Sequence, residues 1–194
     1  TSEVTRFFDT PVDLTKGAAE NFKVQIRGDA PDFVENADGT LTVGAAGADI
    51  WNTVDDFRFV YKRLSGDGSI TARVDSCTQA NVWTKAGIMI RQNLGEDSTN
   101  SYSFVTPTGR VGTQWRVDTL GATVSTRSET EGEIELPYWV RLTRQGTLFT
   151  GAQSVDGVNW QPMFQSGSPA LPTEMDIAMI PDVYIGLAVT SHVA

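Results

Sequence analysis

Tyr138-Trp139-Val140-Arg141-Leu142-Thr143-Arg144, Ser154-Val155-Asp156-Gly157-Val158-Asn159-Trp160 and Tyr184-Ile185-Gly186-Leu187-Ala188-Val189-Thr190-Ser191-His192 decide the fold. Each run alternates its side chains with a period of two and is bounded by a Gly or Pro break. That is the pattern of a strand with one face in a core. Working outward, Phe22, Val24 and Ile26 alternate with Lys23, Gln25 and Arg27. Residues 33–36 and 40–43 flank Ala37-Asp38-Gly39, and Asp-Gly is a strong hairpin signal. Phe57, Phe59 and Tyr61 alternate with polar neighbours; Gly66-Asp67-Gly68 makes a turn; Ile70, Ala72 and Val74 resume the alternation. Further strands are expected over 85–91, 102–106, 111–118 and 123–128. Helical periodicity is nearly absent, the best candidate being one or two turns over 14–20. The stretch 166–181, with Pro169, Pro172 and Pro181, reads as a long loop before the final strand. Short strands joined by turns indicate an antiparallel sandwich or barrel.

The chain has 194 residues, enough for a single domain with a core that needs no crosslinks. Its net charge of -9 disfavours a nucleic-acid binder, which carries a clustered basic footprint. No apolar run approaches the ~20 residues that span a bilayer. The first residues show no signal-peptide pattern, which leaves a processed chain or a cytosolic one. The one cysteine, Cys77, offers no intrachain disulfide and reads as a small buried or half-buried residue.

Seven segments, in order, resemble a group of bacterial domains with the concanavalin A-like jelly-roll fold. They are Gly47-Ala48-Asp49-Ile50-Trp51, Asp56-Phe57-Arg58-Phe59-Val60-Tyr61, residues 64–74, Trp83-Thr84-Lys85-Ala86-Gly87-Ile88-Met89-Ile90-Arg91, Tyr138-Trp139-Val140-Arg141-Leu142, Asp156-Gly157-Val158-Asn159-Trp160 and the closing 186–192. The resemblance covers residues 45–193. It implies an all-β, two-sheet antiparallel jelly-roll sandwich and a secreted or cell-surface protein, without implying one ligand. Residues 1–44 lie outside it and are expected to add strands at a sheet edge.

Candidate sites follow from side-chain chemistry. Sugar recognition needs an exposed aromatic platform with polar neighbours for the hydroxyls. Trp83, in a turn before a strand, and Trp115, between Gln114 and Arg116, are the expected exposed pair, with Tyr102 and Arg116 as polar partners. Trp51, Trp139 and Trp160 are assigned to packing. Glu131, Glu133 and Glu135 alternate and would share one face of a strand. Glucanases of the same fold carry such an array, with nucleophile and acid/base about 5–5.5 Å apart. The competing reading is a solvated acidic edge that discourages strand pairing.

Asp55, Asp56, Asp67, Asp97 and Asp156 sit at or beside turns and are candidate ligands for one structural calcium ion, or simply turn formers. Arg73, Lys85 and Arg91 on strands line a face or make rim ion pairs. His192 has no Ser or Asp partner suggested by the sequence, so a catalytic triad is not expected. The leading expectation is a non-catalytic, extracellular module that binds a carbohydrate or another surface component. The alternatives are a self-assembling structural module and a glycoside hydrolase built on Glu131, Glu133 and Glu135. Neither nucleic acid nor membrane insertion is expected.

Overall fold

A computed structural model of the chain describes residues 2–7, 23–25, 33–128, 130–163 and 174–193, the first two segments by their backbone alone. Its strands are β1 (Ser2–Phe7), β2 (Lys23–Gln25), β3 (Phe33–Glu35), β4 (Leu41–Ala45), β5 (Asp49–Trp51), β6 (Val54–Asp56), β7 (Arg58–Ser65), β8 (Gly68–Cys77), β9 (Lys85–Arg91), β10 (Asn100–Val105), β11 (Val111–Arg116), β12 (Val124–Arg127), β13 (Tyr138–Gln145), β14 (Leu148–Ser154), β15 (Gln161–Pro162), β16 (Glu174–Asp176) and β17 (Asp182–Thr190). No helix occurs among the described residues. The first sheet runs β15-β14-β13-β8-β1-β4-β3, with β16 on β14; the second runs β12-β11-β10-β9-β17-β7-β2. Both are antiparallel. The fold is all-β and sandwich-like.

One core lies between the sheets. In β13, Val140 and Leu142 point inward, and in β9 Ala86, Ile88 and Ile90 do the same. Fully burying one such side chain contributes about 1.5–3 kcal/mol. The outer faces differ. In β13 the outward residues Trp139, Arg141 and Thr143 are half-buried, as alternation leads one to expect. In β9, β10 and β11 every residue is buried. The outer face of the second sheet carries a second apolar cluster of Ile50, Phe59, Tyr61, Met89, Tyr102, Phe104 and Ala188. Ile50 belongs to the β5–β6 hairpin, a separate two-stranded sheet laid over this face.

A buried ion pair fastens that hairpin. Asp55 of β6 accepts both ends of the Arg116 guanidinium, at 2.7 and 2.9 Å, with neither side chain exposed. Asn100 donates to the same carboxylate at 3.2 Å, and Arg91 lies 3.6 Å away. Arg116 also donates to the carbonyls of Trp51 and Asn52, at 3.4 and 3.2 Å. A bidentate guanidinium with its remaining protons satisfied is the geometry in which a buried pair is tolerated.

Three expectations from the sequence change. Residues 154–160 are not a strand: β14 ends at Ser154 and a turn follows. Val155 and Val158 are 76% and 77% exposed there, while Asp156 accepts the Val158 and Asn159 amides. Local hydrogen bonding by Asp outweighs the apolar alternation. Gly66-Asp67 is a turn, as expected, and it joins β7 of the second sheet to β8 of the first. It is tied down by Gly66 N–H to the Pro181 carbonyl, 3.0 Å, and by the Gly146 amide to Asp67, 2.6 Å. Of the N-terminal strands, β2 and β3 are at edges, but β1 lies inside the first sheet between β8 and β4. Within 166–181, β16 pairs with β14; the suggested helical turn over 14–20 and residues 166–173 lie outside the described residues.

Candidate functional site

A cavity of about 230 Å³ opens on the outer face of the second sheet, lined by Asp49, Trp51, Trp83, Lys85, Phe104, Gln114, Ser125, Arg127 and His192. Its floor comes from the pairing register. Gln114 of β11 stands opposite Tyr102 of β10 and Ser125 of β12, and Gly112 stands opposite Phe104 and Arg127. A Cβ on Gly112 would lie 2.5 Å from the Arg127 Cβ, so the missing side chain is what leaves room for Arg127. The β5–β6 hairpin brings Asp49 and Trp51 in from above. The 81–84 turn brings Trp83: Asn81 Oδ1 accepts the Trp83 amide at 2.9 Å, and Thr84 Oγ1 donates to the Ser191 carbonyl at 2.9 Å.

The polar groups are linked. Lys85 Nζ donates to Asp49 Oδ1 at 2.7 Å and to the Ile50 carbonyl at 3.3 Å. His192 Nε2 lies 3.2 Å from Asp49 Oδ2, held by a backbone with φ of 57°. The Ile50 amide donates to Asp49 Oδ1 at 2.7 Å. Lys85 also lies 5.5 Å from the Trp51 ring centre and 5.6 Å from that of Phe104. Arg110 and Arg127 lie 4.9 and 5.2 Å from the Trp83 ring centre. Cations over ring faces are held electrostatically. Burial holds the Lys85 ammonium below its ordinary value; Asp49 opposes this and Arg127 adds to it.

Gln114 is fully buried; its Nε2 donates to the Ile50 carbonyl, and its Oε1 meets no donor among the described residues. A buried acceptor left unpaired costs about 1–3 kcal/mol.

Of the four sequence candidates, Trp83 lines the cavity. Trp115 does not present itself to solvent: it is 6% exposed and belongs to the core between the sheets. Adjacent residues on a strand point to opposite faces, so with Arg116 outward Trp115 is inward. Arg116 is fully buried and holds the hairpin through Asp55. Tyr102 is fully buried beneath the hairpin and donates to the Ala188 carbonyl at 3.0 Å, and burial pushes its hydroxyl well above the usual tyrosine value.

The tryptophans assigned to packing are all half-buried. Trp51 borders the cavity. Trp139 and Trp160 lie on the first sheet's side, with Arg141 3.8 Å from the Trp160 ring centre. Lys85 and Arg91 are buried rather than at a rim.

Glu131, Glu133 and Glu135 do not share a strand face. Residues 130–137 are turns and irregular backbone, Gly132 has φ of 77°, and the three carboxylates are exposed around a buried Ile134. Glu131 sits 3.8 Å from Arg110, and Glu133 accepts from Thr130. None lines the cavity.

The turn aspartates have local partners. Asp56 accepts the Ala48 amide at 3.0 Å, Asp67 the Gly146 amide, and Asp156 several donors at once. Among the described residues no group of three His, Cys, Asp or Glu could hold a metal ion. Cys77 is half-buried against the core, and burial pushes its thiol up to about 12, out of range of thiolate chemistry at neutral pH.

Asp49, Gln114, Ser125 and Arg127 were not legible as site residues. The usable signal was the period of two on β11, which puts Gly112, Gln114 and Arg116 on one face. No protein-family model matches the chain, and no curated protein matches it. Among solved structures, a functionally unknown protein from Saccharomyces cerevisiae has the same fold with a TM-score of 0.65, at 14% identity over 87% of this chain and 85% of that one.

Proposed function

We propose that the chain is a non-catalytic carbohydrate-binding module of concanavalin A-like jelly-roll type, working outside the cell or at its surface, and that the cavity beside Trp51 and Trp83 is its ligand site. The observation that carries this is the lining itself. Two half-buried indole rings, Trp51 and Trp83, border the same space as the polar side chains of Asp49, Lys85, Gln114 and Ser125. A pyranose presents apolar C–H faces to rings and hydroxyl donors to acceptors. The cavity volume is about 230 Å³ and it opens to solvent.

The test is a glycan-array screen of neutral and acidic sugars, with and without calcium, followed by titration of the best ligand into Trp51→Ala and Trp83→Ala. Each variant is expected to lose affinity by about tenfold or more, as buried aromatic anchors do. Calcium dependence would add a structural metal to the module. Absence of binding across the array, or full affinity in both variants, would remove the sugar site.

A further inference from the structure

We infer that the outer face of the first sheet carries a second site, separate from the cavity, where the Arg141 guanidinium takes a small carboxylic acid borne on a ring. β13 places Trp139 and Arg141 two residues apart on that face, and the register sets Arg141 between Thr71 of β8 and Ala152 of β14. The turn after β14 folds back over them. A Cβ on Gly157 would lie 2.8 Å from the Trp139 ring, so the turn rests directly on that indole. Trp160 Nε1 donates to the Gly157 carbonyl at 3.0 Å, and Arg141 Cζ lies 3.8 Å from the Trp160 ring centre. So short a distance is a guanidinium stacked on the ring face.

The guanidinium is fixed along one edge only. Its Nε donates to Thr71 Oγ1 at 3.0 Å. Among the described residues, Nη1 and Nη2 meet no acceptor and no carboxylate lies within ion-pairing distance. Neither nitrogen is sealed from solvent. Arg116 and Arg144 differ: they spend the same atoms on Asp55 and on the Met179 and Ile180 carbonyls. Burial lowers the Arg141 pKa from its ordinary value, and nothing opposes that shift. An anion at the open edge would.

A guanidinium edge matches a planar carboxylate with two parallel hydrogen bonds. Charge selects a monoanion. The neighbouring cation on that face, Arg73, is engaged by Asp75, and the chain as a whole carries a net charge of -9. A phosphate monoester brings about two negative charges to a single guanidinium. The indoles of Trp139 and Trp160 are both half-buried, which leaves part of each for the body of the ligand. Ring faces there favour an acid carried on a ring over a bare one. Uronic acids and aromatic acids share that chemistry.

The experiment is calorimetry on the unmodified protein with glucuronate, benzoate, the methyl ester of glucuronic acid and inorganic phosphate, at one ionic strength. At least one ring acid is expected to bind about tenfold or more tightly than ester or phosphate. Which acid leads tells a sugar acid from an aromatic one. Arg141→Lys keeps the charge without the fork and should cost that acid about tenfold. In two-dimensional NMR the Trp139 and Trp160 indole signals should move with saturation. The inference is overturned if neither acid exceeds ester and phosphate, or if Arg141→Lys binds like the parent. Shifts confined to the Trp51 and Trp83 indoles would put the acid in the cavity and overturn it as well. Should Arg141→Lys fail to fold by circular dichroism, the ligand comparison and the indole shifts decide.

Discussion

At the scale of single residues, short polar side chains override hydrophobic pattern. Asp156 is the clearest case. Its carboxylate accepts the Val158 and Asn159 amides, the Asn159 side chain and the Ser154 hydroxyl. The Asn159 amide is the largest of the contributions that hold it below the usual carboxylate range. A depressed folded-state value means that the stabilisation is fully present above the unfolded value near 3.8 and is lost as pH falls through the folded value. Stability–pH profiles of the wild type and Asp156→Asn should therefore lie apart at neutral pH and converge below pH 3.8. Parallel profiles would show that the carboxylate contributes nothing through its charge. The alternation of Val155 and Val158 with polar neighbours is real in the sequence; Gly157 and the Asp156 acceptor spend it on a turn.

At the scale of elements, the β5–β6 hairpin matters most, because it brings both Asp49 and Trp51 to the cavity. Its attachment depends on Asp55, which is buried and doubly bonded to Arg116. Removing one partner of such a pair leaves the other charge buried and costs about 3–5 kcal/mol. Asp55→Ala should lower the urea midpoint accordingly and weaken ligand binding as well, although Asp55 does not line the cavity. A loss of less than about 1 kcal/mol would mean that the hairpin is held by apolar contact through Ile50. The sequence marked Asp55 and Arg116 as interesting for other reasons, metal ligation and sugar contact. Neither role fits two side chains that satisfy each other 61 positions apart.

For the whole molecule, the unusual feature is that β9, β10 and β11 of the second sheet are buried on both faces. An ordinary sandwich leaves outward residues wet, and truncating them changes stability by less than about 0.5 kcal/mol. Here Met89, outward on β9, is as buried as its inward neighbour Ile88. Met89→Ala and Ile88→Ala should both cost about 2–5 kcal/mol in chemical denaturation. A negligible cost for Met89→Ala would show the outer cluster to be loosely covered.

What the sequence determined by itself was most of the long strands and, among the described residues, the scarcity of helix. Side-chain alternation with a period of two is a local property, so β4, β8, β9, β13 and β17 were readable within a residue or two. It also separated inward from outward residues, and applied strictly it would have turned Trp115 away from Arg116. What only the tertiary structure decided was which outward faces are covered. Alternation says that Gly112, Gln114 and Arg116 share a face of β11; it says nothing of the hairpin from residues 49–56 that lies on it. The cavity draws on Asp49, Trp83, Gln114, Arg127 and His192, which are brought together by strand order and crossover, and no local pattern encodes long-range pairing. The same non-locality sent β7 and β8 to different sheets across a turn whose residues read as an ordinary tight connection.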